Sequence, residues 1–296
     1  MLGRANPRGI SLHIGLNQVD PTHYAGWKGE LVACENDARD IEAIAMAQGF
    51  ATKSLLTKAA TSTAVLDVID KATRELAEDD FFLLTYSGHG GQINDVDDEE
   101  PDGLDETWVL YDRQLVDDEL YAIWSHFRPG VRIFVLSDSC HSGTMTKAMF
   151  LNPTLYVPHL ESRVRASAAA NLRPKFLPPE VQARIYKERA VLYDDIRKKT
   201  PRREKVNVEC SVILISACQD NQVAMDGNKN GLFTENLLRA WNRGNFTGGY
   251  HHFRNELAGL MPPTQSPKYT MVGHRERAFE RQRPFTITVP RVAVAA

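Results

Sequence analysis

The chain has 296 residues, a formal net charge of −3 at pH 7, and 43% apolar and 25% charged residues. This is ordinary globular composition, so wholesale disorder and a coiled coil are not expected, and a chain of this length can bury a core without disulfide support. The mildly acidic balance argues against nucleic acid as a partner, and no apolar run approaches the roughly 20 residues of a membrane span.

Apolar runs and helical periodicity alternate along the chain, as in α/β proteins. Predicted strands lie at 9–16, 50–56, 80–86, 108–111, 131–136, 210–216, 268–272 and 285–289. Predicted helices lie at 34–48, 61–77, 117–126, 231–241 and 251–260. The runs at 80–86 and 131–136 are almost wholly apolar, which is typical of central parallel strands covered on both faces. We therefore predict a mostly parallel sheet with helices on both faces.

Residues 150–206 interrupt this alternation with several prolines and a basic run at 197–203. We predict one domain over residues 1–296, in which 1–149 and 207–296 form the ordered parts and 150–206 is an insertion or linker. A helix over 179–198 is an alternative interpretation of part of this segment. The four cysteines form no CxxC pair, and the first residues lack the features of a secretory signal, so we expect a cytoplasmic protein with reduced thiols.

Two polar motifs follow the two apolar central strands. One places His89 between glycines, and the other presents Cys140 followed by histidine, serine and glycine. Because the carboxyl ends of parallel strands meet at one sheet edge, we expect both side chains at that edge. A cysteine and a histidine suit a thiolate nucleophile with a general acid and base. The alternatives are a hydrogen-bonded core histidine and a buried inert thiol.

Four motifs together resemble the caspase-like cysteine peptidases of the C14 type, in the metacaspase and bacterial orthocaspase branch. They are CEND at 34–37, YSGHG at 86–90, DSCHSG at 138–143 and SACQDNQ at 216–222. A histidine roughly 50 positions before the cysteine agrees with caspases. The resemblance implies the caspase-hemoglobinase fold with a six-stranded sheet, in which 1–149 corresponds to the large subunit and 207–296 to the small subunit.

The resemblance also implies the roles of the residues at the two strand ends. Cys140 would attack the scissile carbonyl, and His89 would protonate the leaving amine and then activate water. Backbone N–H groups of Gly90 and Cys140 would bind the oxyanion. No cofactor is required by this chemistry.

The positions that form the first specificity pocket in metacaspases are Asp37, Ser87, Asp138 and Asp220. Three carboxylates around one slot repel an acidic side chain and attract a cation, so cleavage after Arg or Lys is predicted. The alternative interpretation of Asp37 is an acid in the first turn of a helix, where acids are favoured in any case.

An activating calcium site is a further property of many metacaspases. Its candidate ligands in this chain are Asp102, Asp105, Asp117 and Asp118. Lys147 stands where the family carries another acid, and a lysine repels a hard cation. The alternative is a solvated acidic loop that attracts basic substrates.

The basic linker suggests a zymogen, because a peptidase specific for basic residues would accept its own linker as a substrate. Candidate cut sites are Lys175, Arg184, Arg189 and the run 197–203. Maturation by the protein itself or by another protease is predicted, and a merely tolerated surface insertion is the alternative. Expected partners are protein substrates with a basic residue before the cut and an activating protease or regulatory protein.

Two other functions are compatible with the sequence. A catalytically silent caspase-fold interaction or regulatory module would keep the sheet without the chemistry. A cysteine hydrolase of the same architecture could act on a small-molecule amide. The family resemblance further implies a monomer, in contrast to the dimeric caspases.

Overall fold

The computed structural model describes residues 6–94, 104–140, 172–219 and 222–288. Its strands are β1 Gly9–Gly15, β2 Ala51–Leu56, β3 Phe81–Ser87, β4 Gly90–Asn94, β5 Leu104–Val109, β6 Gln114–Val116, β7 Arg132–Asp138, β8 Arg173–Pro174, β9 Ser211–Ser216, β10 Met225–Asp226 and β11 Lys268–Gly273. Its α-helices are α1 Cys34–Ala47, α2 Ser62–Glu75, α3 Asp117–Trp124, α4 Pro179–Lys199, α5 Leu232–Trp241, α6 Tyr250–Leu260 and α7 Arg277–Arg281.

Six of these strands form the central sheet, in the order β11-β9-β7-β3-β1-β2. All neighbours are parallel except β11, which runs antiparallel to β9. The prediction of a mostly parallel six-stranded sheet is confirmed. Two small sheets lie beside it, one of β4, β5 and β6 and one of β8 and β10.

Apolar clusters cover both faces of the central sheet. Side chains alternate along β3, so Phe81 and Leu83 join one cluster and Phe82 and Leu84 join the other. Helices α1, α5 and α6 contribute to the first cluster, and α2 and α3 to the second. The helices therefore lie on both faces, as predicted from the apolar character of the central strands.

Three local predictions need correction or completion. The strand predicted at 285–289 does not form over residues 285–288, because Phe285 adopts a positive φ of 60° that turns the chain out of an extended conformation. The alternative helix in the linker does form, as α4. Strands β4, β6, β8 and β10 were not predicted, since each is short and lies outside the main sheet. Within the described ranges, no helix is long and apolar enough to cross a membrane.

Candidate active site

The two catalytic candidates leave the sheet at the same edge. Ser87 at the end of β3 pairs with Asp138 at the end of β7, and His89 and Cys140 each follow two residues later. The two segments touch, since a Cβ on Gly90 would lie 1.7 Å from the carbonyl oxygen of Cys140. Only glycine fits there, so the glycine after His89 is what allows the two segments to meet.

The hydrogen bonding of His89 fixes the position of its proton. Nε2 lies 3.1 Å from the carbonyl oxygen of Gly29. A carbonyl only accepts, so Nε2 carries the proton and Nδ1 of the neutral ring keeps a lone pair. Nδ1 is buried without a hydrogen-bond partner among the described residues. Burial lowers the pKa of His89 to about 4, against the opposing effect of the Gly29 and Phe176 backbone, so the resting ring is neutral.

The loop between β1 and α1 supplies the residues that contact the His89 ring. From the sequence alone, this loop is only a connection. The Trp27 ring lies 4.7 Å from the His89 ring, centroid to centroid. Gly29 has a φ of 57°, and a Cβ there would meet both rings at 3.2 Å or less. A glycine and a tryptophan in a loop carry little information by themselves, because their use depends on a strand more than fifty positions away.

Cys140 is buried and neutral in this state. Its Sγ accepts the N–H of Ala224 at 2.7 Å and lies 3.3 Å from the Ala224 carbonyl oxygen. Burial, with the neighbouring Cys218, raises the pKa of the Cys140 thiol well above its ordinary value. A thiol with a raised pKa would have to lose its proton before it could act as a nucleophile.

The two predicted oxyanion donors already hold a carbonyl group of the chain itself. The N–H groups of Gly90 and Cys140 each donate to the carbonyl oxygen of Lys175, both at 3.1 Å. The Lys175 N–H donates in turn to the carbonyl oxygen of Ala224 at 2.9 Å. Just before it, β8 pairs antiparallel with β10. The segment at Lys175 thus lies in the cleft as an extended peptide with its carbonyl at the two donors.

The side chain of Lys175 fills the predicted acidic pocket. Its Nζ lies 3.1 Å from Asp37 Oδ2 and 3.0 Å from Asp138 Oδ2, and it donates to Ser87 Oγ at 3.0 Å. Lys175 is fully buried. Burial alone lowers the pKa of Lys175, but Asp138, Cys34 and the other pocket acids together raise it well above its ordinary value. The pocket therefore holds a charged ammonium group.

Neighbouring polar groups orient the two pocket acids. Asp37 accepts hydrogen bonds from Ser87 Oγ, Asn230 Nδ2 and the Gly231 N–H. Asp138 Oδ2 accepts from Thr234 Oγ1 at 3.0 Å, while its Oδ1 is buried without a partner among the described residues. Burial raises the pKa of Asp138 to about 6, against the opposing effect of Lys175.

A third pocket acid, Asp226, was missed by sequence analysis. Its Oδ1 lies 3.9 Å from Lys175 Nζ, and its Oδ2 accepts the N–H of Val32 at 2.7 Å. No motif marks this aspartate, because strand β10 has only two residues. Asp220, which was predicted at the pocket, lies outside the described residues, as do Asp102 and Lys147.

The remaining calcium candidates, Asp105, Asp117 and Asp118, lie in the described part of the chain. Burial and the neighbouring acids Asp118, Glu106 and Asp105 raise the pKa of Asp117 well above its ordinary value. Asp105 Oδ2, however, lies 3.8 Å from a guanidinium nitrogen of Arg197. Among the described residues, the only three potential metal ligands that converge are Cys34, Asp37 and Asp226. Both carboxylates of this group, Asp37 and Asp226, already face the Lys175 ammonium.

Comparison with known proteins agrees with this fold. The family described as "Caspase domain" (peptidase C14) matches residues 13–278. A crystal structure of a Geobacter sulfurreducens protein is similar with a TM-score of 0.85 and 46% identity, over 95% of this chain and 100% of that one. Metacaspase-1 of Kluyveromyces lactis is 26% identical over 244 residues, which cover 75% of this chain and 55% of the relative. Metacaspase-1 of Candida albicans is 28% identical over 257 residues, or 76% of this chain and 55% of that protein.

The chain spans about half the length of these curated metacaspases. The family match nevertheless covers most of the chain, and the strands that present His89 and Cys140 lie inside it. The protein therefore belongs to the caspase-like peptidase family, in its metacaspase and orthocaspase branch.

Proposed function

We propose that the protein is a cysteine endopeptidase that cuts proteins after lysine or arginine and that is held as a zymogen by its own linker. The observation that carries this proposal is the position of Lys175. Its carbonyl oxygen meets the N–H groups of Gly90 and Cys140 at 3.1 Å, and its ammonium group lies between Asp37 and Asp138. A substrate with a lysine before the scissile bond would make the same contacts.

The chemistry follows from the two neutral catalytic groups. His89 Nδ1 takes the proton of the Cys140 thiol as Sγ bonds to the substrate carbonyl carbon, and the oxygen gains negative charge at the two N–H donors. The C–N bond then breaks, and His89 returns its proton to the leaving amine. Water next attacks the thioester, with His89 taking one of its protons, and the C–S bond breaks to release a carboxylic acid and the thiol. Each oxyanion donor is worth about 10²–10³ in rate.

Arginine suits the same pocket as lysine. Asp138 Oδ1 is buried and has no partner among the described residues, so the lysine leaves one acceptor unused. A guanidinium group has donors in a planar fork and can meet both oxygens of one carboxylate. An acidic side chain would instead face Asp37, Asp138 and Asp226 with its own negative charge.

Hydrolysis of fluorogenic peptides tests the proposed activity. Peptides with lysine or arginine before the leaving group should be hydrolysed at least about 100-fold faster than matched peptides with aspartate or alanine. The Cys140→Ala and His89→Ala variants should lose this activity, and a basic peptidyl ketone should label wild type at Cys140. Faster cleavage after aspartate would refute the specificity. A folded protein that neither cleaves nor is labelled would favour the silent interaction module.

Two substitutions of Lys175 test the zymogen proposal. Lys175→Arg keeps a cation for the pocket and should still be cut after position 175, whereas Lys175→Gln removes the charge and should remain intact there. Intact mass spectrometry of the two purified variants measures this difference. Equal cutting of both would show that the pocket does not select this bond.

A further inference from the structure

The two residues that follow Lys175 are apolar and buried in the cleft. Phe176 is 7% exposed and Leu177 is 5% exposed. Phe176 belongs to the same apolar cluster as Cys140, Cys218 and Val223. Leu177 belongs to a separate cluster, whose members from the body of the protein are Val19, Tyr24, Ile93, Val109 and Val116. The chain thus fills two different apolar sites on the leaving-group side of the Lys175–Phe176 bond.

Main-chain contacts hold this pair of residues, so another peptide could adopt the same path. Phe176 forms a parallel bridge with Gly90, and the Leu177 N–H donates to the Gly90 carbonyl oxygen at 2.7 Å. The backbone of Phe176 also lies against the His89 ring. Any peptide that places its scissile carbonyl at the oxyanion donors and bonds to Gly90 would direct its next two side chains into these apolar sites.

We infer that the cleft selects large apolar side chains at the first and second positions after the cut, in addition to a basic residue before it. This inference rests on the proposed peptidase function and names its substrate class more closely. The preferred bond would be Lys–Phe or Arg–Leu rather than any bond after a basic residue. The apolar side chain after the cut becomes buried when the substrate binds. This burial should raise kcat/KM for such a bond by about 10- to 100-fold.

The chain's own segment competes with substrates for the same sites. Leu177 shares its cluster with Val181, Ile185 and Tyr193 of α4, so after cleavage the new amino terminus stays attached to a docked helix. A substrate with a large apolar residue after the cut has to displace Phe176. Weaker packing of the Phe176 side chain in the cleft therefore has two opposite effects. It slows cutting of the Lys175–Phe176 bond, and it improves binding of other substrates once that bond is cut.

Internally quenched peptides test this selectivity directly. The series Leu-Arg-Pro-Lys-X-Leu, with X as Phe, Leu, Ala or Asp, is compared with a peptide that carries a fluorogenic leaving group directly after lysine. With wild-type protein, kcat/KM should be about 10- to 100-fold higher for Phe and Leu than for Ala, and lowest for Asp. Similar values across X, together with hydrolysis of the fluorogenic peptide, would overturn the inference and leave the proposed function intact. No hydrolysis of any peptide would overturn both.

Variants of Phe176 provide the second, independent measurement. Phe176→Ala should slow self-cleavage after Lys175 and, once cut, lower KM for the X = Phe peptide by about tenfold relative to wild type. Phe176→Leu should behave like wild type in both assays, which controls for changes in folding. A Phe176→Ala protein with unchanged self-cleavage and unchanged KM would contradict the inference.

Discussion

At the scale of single residues, Gly231 shows how closely the pocket fits a basic side chain. A Cβ on Gly231 would lie 2.4 Å from Lys175 Nζ and 2.5 Å from Asp138 Oδ2. Both distances are shorter than any real contact of such atoms, so even a methyl group would take the space of the ammonium. The absence of a side chain at this position is therefore part of the pocket.

The Gly231→Ala variant should lose most binding of basic substrates. We expect KM for a lysine peptide to rise at least about tenfold, and cutting after Lys175 to slow, because the methyl group and the ammonium cannot both fit. Steady-state kinetics measures this. Gly259→Ala is the matched control, since Gly259 lies in α6 and its Cβ would meet nothing within 4 Å. That change should keep KM and stabilise the helix by about 0.5–1 kcal/mol. Equal changes of KM in the two variants would show that Gly231 does not line the pocket for the basic side chain.

Asp138 sets the expected pH dependence of substrate binding. Burial raises the pKa of this carboxyl from 3.8 to about 6. Its charge is present above that value and is lost as the pH falls through it, so attraction of a lysine is lost in the same direction. His89 contributes only at lower pH, because burial lowers its pKa to about 4.

Lys175 lowers the pKa of Asp138 and has left the pocket when a peptide binds, so kcat/KM for lysine peptides should fall towards tenfold per pH unit below a pH of at least about 6. Initial rates across this range measure the profile. Alkylation of Cys140 by a small neutral reagent serves as the control, since such a reagent does not use the pocket and should lack this acid limb. A lysine-peptide profile that stays flat down to pH 5 would be inconsistent with the assigned role of Asp138.

At the scale of elements, helix α4 docks through a few contacts of its inward face. Tyr193 is fully buried, and its hydroxyl accepts the Gln114 N–H at 3.1 Å and lies 2.8 Å from His23 Nε2. Val191, on the same helix, is 84% exposed. Most of the helix is solvated, so this tyrosine is a main point of attachment.

Tyr193→Phe should destabilise the protein by about 1–3 kcal/mol, because it leaves the buried Gln114 N–H without its acceptor. Urea unfolding followed by circular dichroism measures the change. Tyr186→Phe is the control on the same helix, since its hydroxyl is only 3.4 Å from Asp194 Oδ1 and partly exposed. We expect that variant to stay within about 0.5 kcal/mol of wild type. If both variants lose the same free energy of unfolding, the hydrogen bond between the Tyr193 hydroxyl and the Gln114 N–H does not hold the helix in place.

The sequence predicts regular elements better than it predicts this docking. Central strands such as β3 follow from almost wholly apolar runs. The placing of His89 and Cys140 at one sheet edge follows from their positions after those runs. A helix at 179–198 is only one of two interpretations of the linker, since most of its residues are polar. The use of Lys175, Asp226 and Gly29 in the cleft depends on contacts between distant segments, which no local pattern records.

The central sheet joins segments from both sides of the proposed cut. Strand β7 precedes position 175 and β9 follows it, and the two pair along Arg132–Ser137 and Ser211–Ser216. Both apolar clusters also draw residues from each side. Cleavage after Lys175 therefore breaks one bond within a shared core.

The two fragments of the cut protein should remain together under native conditions. Native mass spectrometry should give the mass of the full chain plus one water, and denaturation should separate two fragments. Dissociation of the fragments on native size exclusion would show that the shared sheet does not hold them.

The central claim is that Lys175 occupies the pocket as the residue before a scissile bond. Its most direct test is mapping of chain ends in purified wild-type protein, with Cys140→Ala as the control, by intact mass and amino-terminal sequencing. We expect a new amino terminus at Phe176 in wild type and an uncut chain in Cys140→Ala. A wild-type protein that cleaves lysine peptides in full while its own Lys175–Phe176 bond stays intact would show that Lys175 is not the residue before a scissile bond.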